Sequence, residues 1–335
     1  MKNKNFAVLG SAHGHIKEFI EVMLKKGGNF VGIYDDGSSL CKEFKNEYSV
    51  PLYKKLDDIF AQNLDIAGTS AVNNQKIDII EECSRQGVHI IADKPIVVNH
   101  NQFETFKNII NKKKIEIGLM LTLRFDPCVS KVKKLLNENV IGRLLSVEIF
   151  SPHTLRKNTR PDWHFDKEQN GGIIIDLMVH SVDLYNWFTE SDIIDYHGVV
   201  QKSILKEKED FYDNCQFFLE SQSGASGYLR VDWHMPENHW SWGDIRIFCT
   251  GTKGSLEARV TGDPITRESQ IILFEKGEKT RKIDIKDEVQ ASVIDDFLKR
   301  VNGEESLIDH QDIVEATGLS IDFDRTVKKV NLLES

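Results

Sequence analysis

Short apolar runs that alternate with amphipathic segments fill the first third of the chain, and they restrict its fold more than any other feature. The run "FAVLG" is followed by apolar residues at the i, i+3, i+4, i+7, i+8 spacing of one helix face: Ile16, Phe19, Ile20, Met23 and Leu24. The runs "FVGIYD", "DIAGTS", "VHIIADKP" and "IEIGLML" then alternate with helical segments at 38–47, 73–86 and 99–112. This alternation predicts a doubly wound parallel sheet of the Rossmann type, in a dinucleotide-binding domain over residues 1–122.

The pattern changes after residue 122. A helix predicted at 127–139 is followed by long strands with alternating apolar and polar residues, among them "RLLSVEIFS", "NCQFFLE" and "SGYLRVDW". One apolar helix, "GGIIIDLMVHSVDLYNWF", interrupts the strands, and two more close the chain. Such alternation predicts a large, mostly antiparallel sheet with one covered and one open face. We therefore expect a second α/β domain at 123–335, which binds substrate and mediates oligomerisation.

Length and charge exclude several classes of protein. The 335 residues are enough for about two domains of roughly 150 residues. Acidic residues number 52 against 43 basic ones, and no basic cluster indicates a nucleic-acid partner. No apolar run approaches the roughly 20 residues of a membrane span, and the N-terminus does not resemble a secretory signal. We expect a cytoplasmic protein with no membrane partner, and five dispersed cysteines that form no disulfide framework.

The first strand-to-helix turn, "GSAHGHI", predicts a modified phosphate loop. Gly10, Ala12 and His15 occupy the three positions of the G-x-G-x-x-G pattern, with Ser11 and His13 between them. The third position normally packs the helix against the strand, and Gly14, one place early, is expected to take over part of that role.

Asp35 ends the second strand, where an acidic side chain accepts hydrogen bonds from the adenosine ribose. The next four residues, "DGSS", contain no cation that would pair with a ribose phosphate. The pattern favours NAD, with NADP possible; an ordinary βαβ unit with a surface aspartate is the alternative.

A metal site at His13 and His15 is the competing interpretation of the loop. A zinc site needs three or four converging ligands. The two histidines stand at i, i+2 with no cysteine or carboxylate near them in the sequence, so we predict no metal.

Polar residues on an apolar helix mark the candidate catalytic site. Asp176, His180 and Asp183 share one face of "GGIIIDLMVHSVDLYNW". Burial of such groups is costly unless they pair or perform chemistry, and an aspartate one turn from a histidine raises its basicity. The alternative is an amphipathic helix with its polar side in water. Lys94, in "ADKPI", ends the fourth strand, the end where open α/β sheets bind ligands.

With these residues in place, the sequence resembles the family of glucose-fructose oxidoreductase and inositol dehydrogenase, the NAD(P)-dependent sugar and polyol dehydrogenases. The segments that carry the resemblance are "AVLGSAHGHI", "GVHIIADKPI", "GLMLTLRFDP", "IGRLLSVEIF", "GGIIIDLMVHSVDL" and "CTGTKGSLEA". Two departures are Asp93, where the family has glutamate before Lys-Pro, and "VNNQ", where a histidine is common.

The resemblance implies hydride transfer between a nicotinamide cofactor and a hydroxyl or carbonyl carbon of a sugar or polyol. It implies that His180 is the general acid/base, that Lys94 bonds the reacting oxygen, and that Asp176 orients the substrate or the base. The implied cofactor contacts are Gly10, Ser11, Ala12, His13, Gly14, His15, Asp35, Ser70, Asn73, Asp93 and Lys94. The implied substrate contacts are Arg124, Trp163, His164, Asp176 and His180.

Two other functions are compatible with the same residues: a cofactor-binding sensor or scaffold, and a metal-dependent hydrolase. For assembly, we expect a homodimer or homotetramer formed through the open sheet face. The residues expected to supply the bulk of that face are Cys215, Phe217 and Leu219 on one strand and Tyr228, Arg230 and Asp232 on the next.

Overall fold

The computed structural model describes residues 1–35, 37–285, 288 and 291–333, so that Asp36 of the "DGSS" segment lies outside the described residues. The chain divides into two compact units. Unit 1 comprises 1–120, 167–171 and 292–318, and unit 2 comprises 121–166, 172–291 and 319–335. The first boundary lies near the expected one at 122, whereas segment 292–318 belongs to unit 1 and not to the second domain.

Both units contain strands and helices. The strands are β1 (Asn5–Ser11), β2 (Asn29–Tyr34), β3 (Leu52–Tyr53), β4 (Ile66–Ser70), β5 (His89–Ala92), β6 (Ile117–Leu119), β7 (Leu144–Thr154), β8 (Ile193–Lys202), β9 (Asn214–Ser221), β10 (Ser226–Met235), β11 (Arg246–Gly251), β12 (Gly254–Arg259), β13 (Gln270–Glu275), β14 (Arg281–Ile283) and β15 (Lys328–Asn331). The α-helices are α1 (Ile16–Lys25), α2 (Ser39–Tyr48), α3 (Leu56–Phe60), α4 (Lys76–Gln86), α5 (His100–Asn111), α6 (Pro127–Asn137), α7 (Lys167–Asn170), α8 (Val179–Thr189), α9 (Val293–Val301) and α10 (His310–Thr326).

Unit 1 contains a six-stranded parallel sheet in the order β3-β2-β1-β4-β5-β6, which confirms the predicted doubly wound fold. The strand order reverses between β1 and β4. Ligands of such sheets bind outside the carboxyl ends of the strands at this reversal. The glycine loop after β1 and the segment after β4 therefore occupy the expected binding edge of unit 1.

Helix α9 explains why a C-terminal segment belongs to unit 1. The helix packs on α1 and β5, and its Phe297 is buried. A Cβ atom at Gly118 of β6 would lie 2.8 Å from the Phe297 ring, so glycine is needed for this close approach. The Nη2 atom of Arg300 also donates to the Ile117 carbonyl at 2.7 Å.

Unit 2 contains a nine-stranded sheet in the order β14-β13-β12-β11-β7-β10-β9-β8-β15. Most neighbours are antiparallel, as predicted, but β10 with β7 and β15 with β8 are parallel pairs. Helices α6 and α8 pack against this sheet. Within the described residues, no helix combines the length and apolar character that crossing a membrane requires. The five cysteines are free and buried.

The expected assignment of strand faces in unit 2 is wrong for β9. Cys215, Phe217 and Leu219 are buried in the core, and the Phe217 ring stacks 4.3 Å from that of Phe323. The other face carries Phe218, which is 52% exposed and lies 5.0 Å from the ring of Tyr228. Alternation shows which residues of a strand share a face, but it does not show which face a helix covers.

On β10, Tyr228 and Arg230 are half-exposed, whereas Asp232 is buried. The open face of the sheet therefore includes Tyr228 and Arg230, as expected. Asp232 lies on the same face but is buried, with its Oδ2 2.9 Å from the Nη2 of Arg230.

Candidate active site

Gly10 of the glycine loop occupies a position that only glycine fits. Its φ of +87° lies in the left-handed region, and a Cβ atom there would lie 2.5 Å from the Cβ of Ala71. The turn after β1 therefore has the tight backbone that a phosphate loop requires.

The expected packing role of Gly14 is wrong. A Cβ atom at Gly14 would meet nothing within 4 Å among the described residues, and His15, at the third pattern position, is exposed. Gly68 on β4 supplies the close approach instead, because a Cβ atom there would lie 2.4 Å from the Phe19 ring. Gly68 on the neighbouring strand thus allows the close packing of helix on sheet that the third glycine of the loop normally provides.

Ser70 holds the glycine loop in place. Its carbonyl accepts from the backbone N–H groups of Ala12 and His13 at 2.8 and 3.2 Å, and its Oγ donates to the His13 carbonyl at 2.7 Å. Helix α1 then begins at Ile16 without a side-chain cap, in contrast to α2, which Ser38 caps. No side chain in the described part of the chain competes for the backbone N–H groups at this end, and a helix N-terminus is suited to bind an anion such as a pyrophosphate, so the loop fits a dinucleotide.

Asp35 ties the end of β2 to the glycine loop. Its carboxylate accepts from the N–H and Oγ of Ser11, from the N–H of Gly37, and from the N–H and Oγ of Ser38, at 2.7–2.9 Å. Burial alone would raise the pKa of Asp35, but the hydrogen bonds from Gly37, Ser11 and Ser38 outweigh it and hold the pKa below its ordinary value. Asp35 therefore holds the glycine loop in place, in addition to its predicted contact with the ribose.

A carboxylate lies next to both loop histidines. Asp93, at the end of β5, is buried; its Oδ1 lies 3.0 Å from the Nδ1 of His15, and its Oδ2 lies 3.3 Å from the Nδ1 of His13. The two imidazole rings meet edge to face at 4.1 Å. Asp93 is far from these histidines along the chain, but the fold brings it beside both of them.

The members of this cluster shift one another's pKa values. Burial would raise the pKa of Asp93, but His15 and His13 hold it well below the ordinary value. Burial lowers the pKa of His13, although Asp93 opposes that shift. The carboxylate is therefore ionised at neutral pH, and His13 tends toward the neutral form that can act as a ligand.

Lys76 is a residue of this site that the sequence reasoning missed. Its side chain is buried, and its Nζ donates to the Asn73 Oδ1 at 2.9 Å and to the carbonyls of Asp93 and Pro95 at 2.8 and 3.0 Å. Asn73 in turn donates from Nδ2 to the Asn170 carbonyl at 2.9 Å. Lys76 thus fixes the chain on both sides of Lys94, and no local pattern in "VNNQKIDII" distinguishes it from a lysine in solvent.

Lys94 itself is half-exposed just beyond β5 and precedes a cis proline, Pro95. This is the predicted position at the carboxyl end of a parallel strand.

In unit 2, a π-helical turn carries Asp176. The turn spans Ile174–Met178, immediately before α8, on which His180 lies. Asp176 is buried and His180 is half-buried. Turns of this kind occur frequently at functional sites. Gly172, with a φ of +79°, precedes the turn and adopts a backbone conformation that disfavours other residues.

Arg124 is occupied by a buried ion pair. Its Nε and Nη2 donate to the two carboxylate oxygens of Asp183 at 3.0 and 2.6 Å, and the guanidinium lies 5.4 Å from the Trp187 ring. The side chains of Arg124 and Asp183 are 2% and 1% exposed. This geometry favours a structural role over the predicted substrate contact.

An aromatic cluster surrounds the predicted substrate residue His164. The buried His164 ring lies 5.4 Å from the Trp233 ring, and its Nδ1 lies 3.3 Å from the Nη1 of Arg160. The Arg160 guanidinium stacks on Trp233 at 4.6 Å and on Trp242 at 4.8 Å. Burial lowers the pKa of Arg160 to about 10, with Asp176 opposing the shift. Trp163 is half-exposed beside His164. The sequence reasoning missed Arg160 and Trp233.

Two family models match the chain. Residues 4–119 match the "Oxidoreductase family, NAD-binding Rossmann fold" model, and residues 129–257 match the "GFO/IDH/MocA C-terminal domain" model. Each model covers most of one part of the chain, and together they cover well over half of it.

Curated relatives and solved structures agree with these matches. The chain is 24% identical to scyllo-inositol 2-dehydrogenase (NAD(+)) of Bacillus subtilis over 53% of its length and 50% of the relative's. It is 24% identical to inositol 2-dehydrogenase of Rhizobium meliloti over 62% of its length and 63% of the relative's. The matches thus span less than two thirds of either relative. A crystal structure from Erwinia carotovora atroseptica matches 98% of this chain and 100% of its own, with a TM-score of 0.89 and 23% identity.

Proposed function

Because the chain belongs to the GFO/IDH/MocA oxidoreductase family, we propose that it is an NAD-dependent dehydrogenase that acts on a CH–OH group of a sugar or polyol. One observation carries the proposal. The three catalytic candidates occur at positions suited to chemistry: Lys94 at the carboxyl end of a parallel strand, Asp176 in a π-helical turn, and His180 just after that turn. The inositol dehydrogenases among the relatives support the substrate class.

The residues of unit 1 would hold the cofactor. The pyrophosphate would bind the loop from Gly10 to His15 and the uncapped start of α1, and Asp35 would accept from the adenosine ribose. Ser70, Asn73 and Asp93 would act mainly by holding this loop and the segment around Lys94 in place. The bound nicotinamide supplies the hydride acceptor.

Side chains of the protein would transfer the proton and stabilise the negative charge that develops on the substrate oxygen. His180 takes the proton from the substrate hydroxyl, and Lys94 stabilises the negative charge that develops on the same oxygen. Asp176 orients the substrate or the base. The Trp233 face and the Arg160 guanidinium would contact the sugar ring and its hydroxyls, next to the predicted contacts Trp163 and His164.

A turnover screen tests the proposed activity directly. The purified full chain would be mixed with inositols, aldoses and sugar acids, each with NAD and with NADP, and formation of the reduced cofactor would be followed by absorbance. We expect turnover with at least one inositol or sugar. Tight cofactor binding without turnover of any of these compounds would favour the sensor or scaffold alternative.

We predict that NAD(H) binds more tightly than NADP(H), because the Asp35 carboxylate, whose pKa is lowered, would repel a ribose phosphate. Lys54, which donates to the Asp35 carbonyl at 3.3 Å, is a nearby cation that the sequence reasoning missed. Fluorescence titration with both cofactors measures the preference, and Lys54→Ala should widen it by removing residual attraction for the phosphate. Equal or tighter binding of NADP(H) would contradict the assignment.

We further propose a homodimer or homotetramer that buries the open face of the unit 2 sheet, where Phe218 and Phe274 are 52% and 42% exposed. Light scattering at micromolar concentration should give a multiple of the monomer mass. Phe218→Glu should shift the mass toward monomer, whereas Ile265→Glu, a control at a residue 89% exposed, should not. A monomer mass for the unmodified chain would refute the proposal.

A further inference from the structure

The histidines of the glycine loop and Asp93 form a cluster with the spacing of metal ligands. One possible ligand atom from each of His13, His15 and Asp93 lies within 4.8 Å of the other two. The carboxylate oxygens lie 3.0 and 3.3 Å from the two Nδ1 atoms. An ion with bonds of roughly 2.0–2.1 Å in tetrahedral geometry separates its ligand atoms by about 3.3 Å. The contacts therefore approach the spacing of a coordination sphere.

Only one of the two histidines is well hydrogen-bonded to the Asp93 carboxylate. The Nδ1 of His15 has a hydrogen-bond distance and geometry to Asp93. The Nδ1 of His13 is also buried and lies 3.3 Å from the Oδ2 of this carboxylate, but the contact does not have good hydrogen-bond geometry. A cation placed against the two Nδ1 atoms and the carboxylate would bind this atom too.

The ligands are held in position before any ion binds. The backbone of His13 is hydrogen-bonded to Ser70 through both its N–H and its carbonyl. The backbone N–H of Asp93 donates to the Thr69 carbonyl at 2.8 Å, which fixes the end of β5. The His15 side chain is 55% exposed, so an ion can reach the cluster from solvent.

From this geometry we propose that His13, His15 and Asp93 bind one divalent first-row transition-metal ion, with Zn²⁺ as the reference ion. Two imidazoles and a carboxylate suit such ions, whereas Mg²⁺ and Ca²⁺ prefer oxygen ligands throughout. Three protein ligands leave at least one coordination position for water or a bound molecule. The sequence alone excluded this site because Asp93 is distant from the histidines along the chain.

The metal site does not rest on the proposed dehydrogenase activity, and it is measured without nucleotide or sugar. The full chain, freed of metal by a chelator, would be titrated with Zn²⁺ by calorimetry. Co²⁺ would be added in parallel, since its visible absorption reports the coordination geometry. We expect one equivalent of Zn²⁺ to bind and a Co²⁺ spectrum of a low-coordinate N/O site.

Single substitutions locate the ion. His13→Ala and His15→Ala should each weaken Zn²⁺ binding by more than about a hundredfold, beyond the roughly 10- to 100-fold that the loss of an outer-sphere partner costs. His15 is exposed, so His15→Ala is expected to leave the fold intact, as circular dichroism would check. The control is His100→Ala, which removes a half-exposed histidine of the same unit that lies 3.8 Å from a single carboxylate, Glu104.

Three outcomes would overturn the proposal. They are no Zn²⁺ binding, binding that survives the double variant His13→Ala/His15→Ala, and an equal loss in His100→Ala. The NAD(H) titration and the turnover screen are read separately, so that failure of the metal site and failure of the dehydrogenase assignment are distinguishable.

Discussion

His180→Ala is expected to lower kcat by roughly a hundred- to ten-thousandfold, the usual contribution of a positioned proton-transfer group. His180 lies on α8 in unit 2, whereas the glycine loop and Asp35 lie in unit 1. His180 is not among the expected cofactor contacts, so NAD(H) binding should barely change. Steady-state kinetics on the substrate found in the screen, combined with fluorescence titration of NAD(H), measures both quantities.

Two further variants test whether the loss of turnover is specific to the proposed catalytic residues. Lys94→Ala should also lower kcat, because the charge that faces the developing alkoxide is removed, and it should weaken NAD(H) binding as well. His239→Ala removes a half-buried histidine that hydrogen-bonds Ser241 at 3.0 Å, and it should leave kcat unchanged. Undiminished turnover in His180→Ala would exclude this residue as the acid/base.

Arg124→Ala is expected to destabilise unit 2 by about 3–5 kcal/mol, since it leaves the buried Asp183 carboxylate without its bidentate partner. The Asp183 side chain is 1% exposed, so water cannot replace the lost hydrogen bonds without opening the core. The shift of the urea unfolding transition, followed by tryptophan fluorescence, measures the effect.

A double variant distinguishes two contributions to the free energy of unfolding: the penalty for breaking the ion pair on one side, and the net stabilisation that the intact pair provides. Arg124→Met/Asp183→Leu removes both charges and should be less destabilised than Arg124→Ala, because no buried carboxylate then lacks its bidentate arginine. If Arg124→Ala instead raised KM and left the unfolding transition in place, the sequence-based prediction of a substrate contact would stand.

The sequence predicted the family and the positions of its elements well. Strands and helices of unit 1 follow local patterns of hydrophobicity, so "FAVLG" and the helix after it are found as β1 and α1. Gly10 was recognisable because a tight turn between strand and helix needs glycine. The GFO/IDH/MocA models confirmed the family that the Lys-Pro and Asp-x-x-x-His segments had indicated.

The site was predicted less completely, because several of its contacts join residues far apart in the chain. Lys76 reaches the carbonyls around Lys94, and Arg160 stacks on Trp233. Neither lysine nor arginine has a local pattern that distinguishes such a residue from one in solvent. The π-helical turn at Asp176 also escaped the sequence, since one extra residue in a helix leaves a nearly normal apolar pattern.

The sequence by itself determined which residues form strands and helices, and which of them share a face, because periodicity is a property of neighbouring residues. Only the tertiary structure decided which face is covered. It buried Phe217 and exposed Phe218, and it assigned α9 to unit 1. It also brought Asp93 to His15 across 78 residues of chain, through the parallel arrangement of β1, β4 and β5. Such contacts depend on the spatial order of the strands in the sheet, and no local sequence pattern encodes that order.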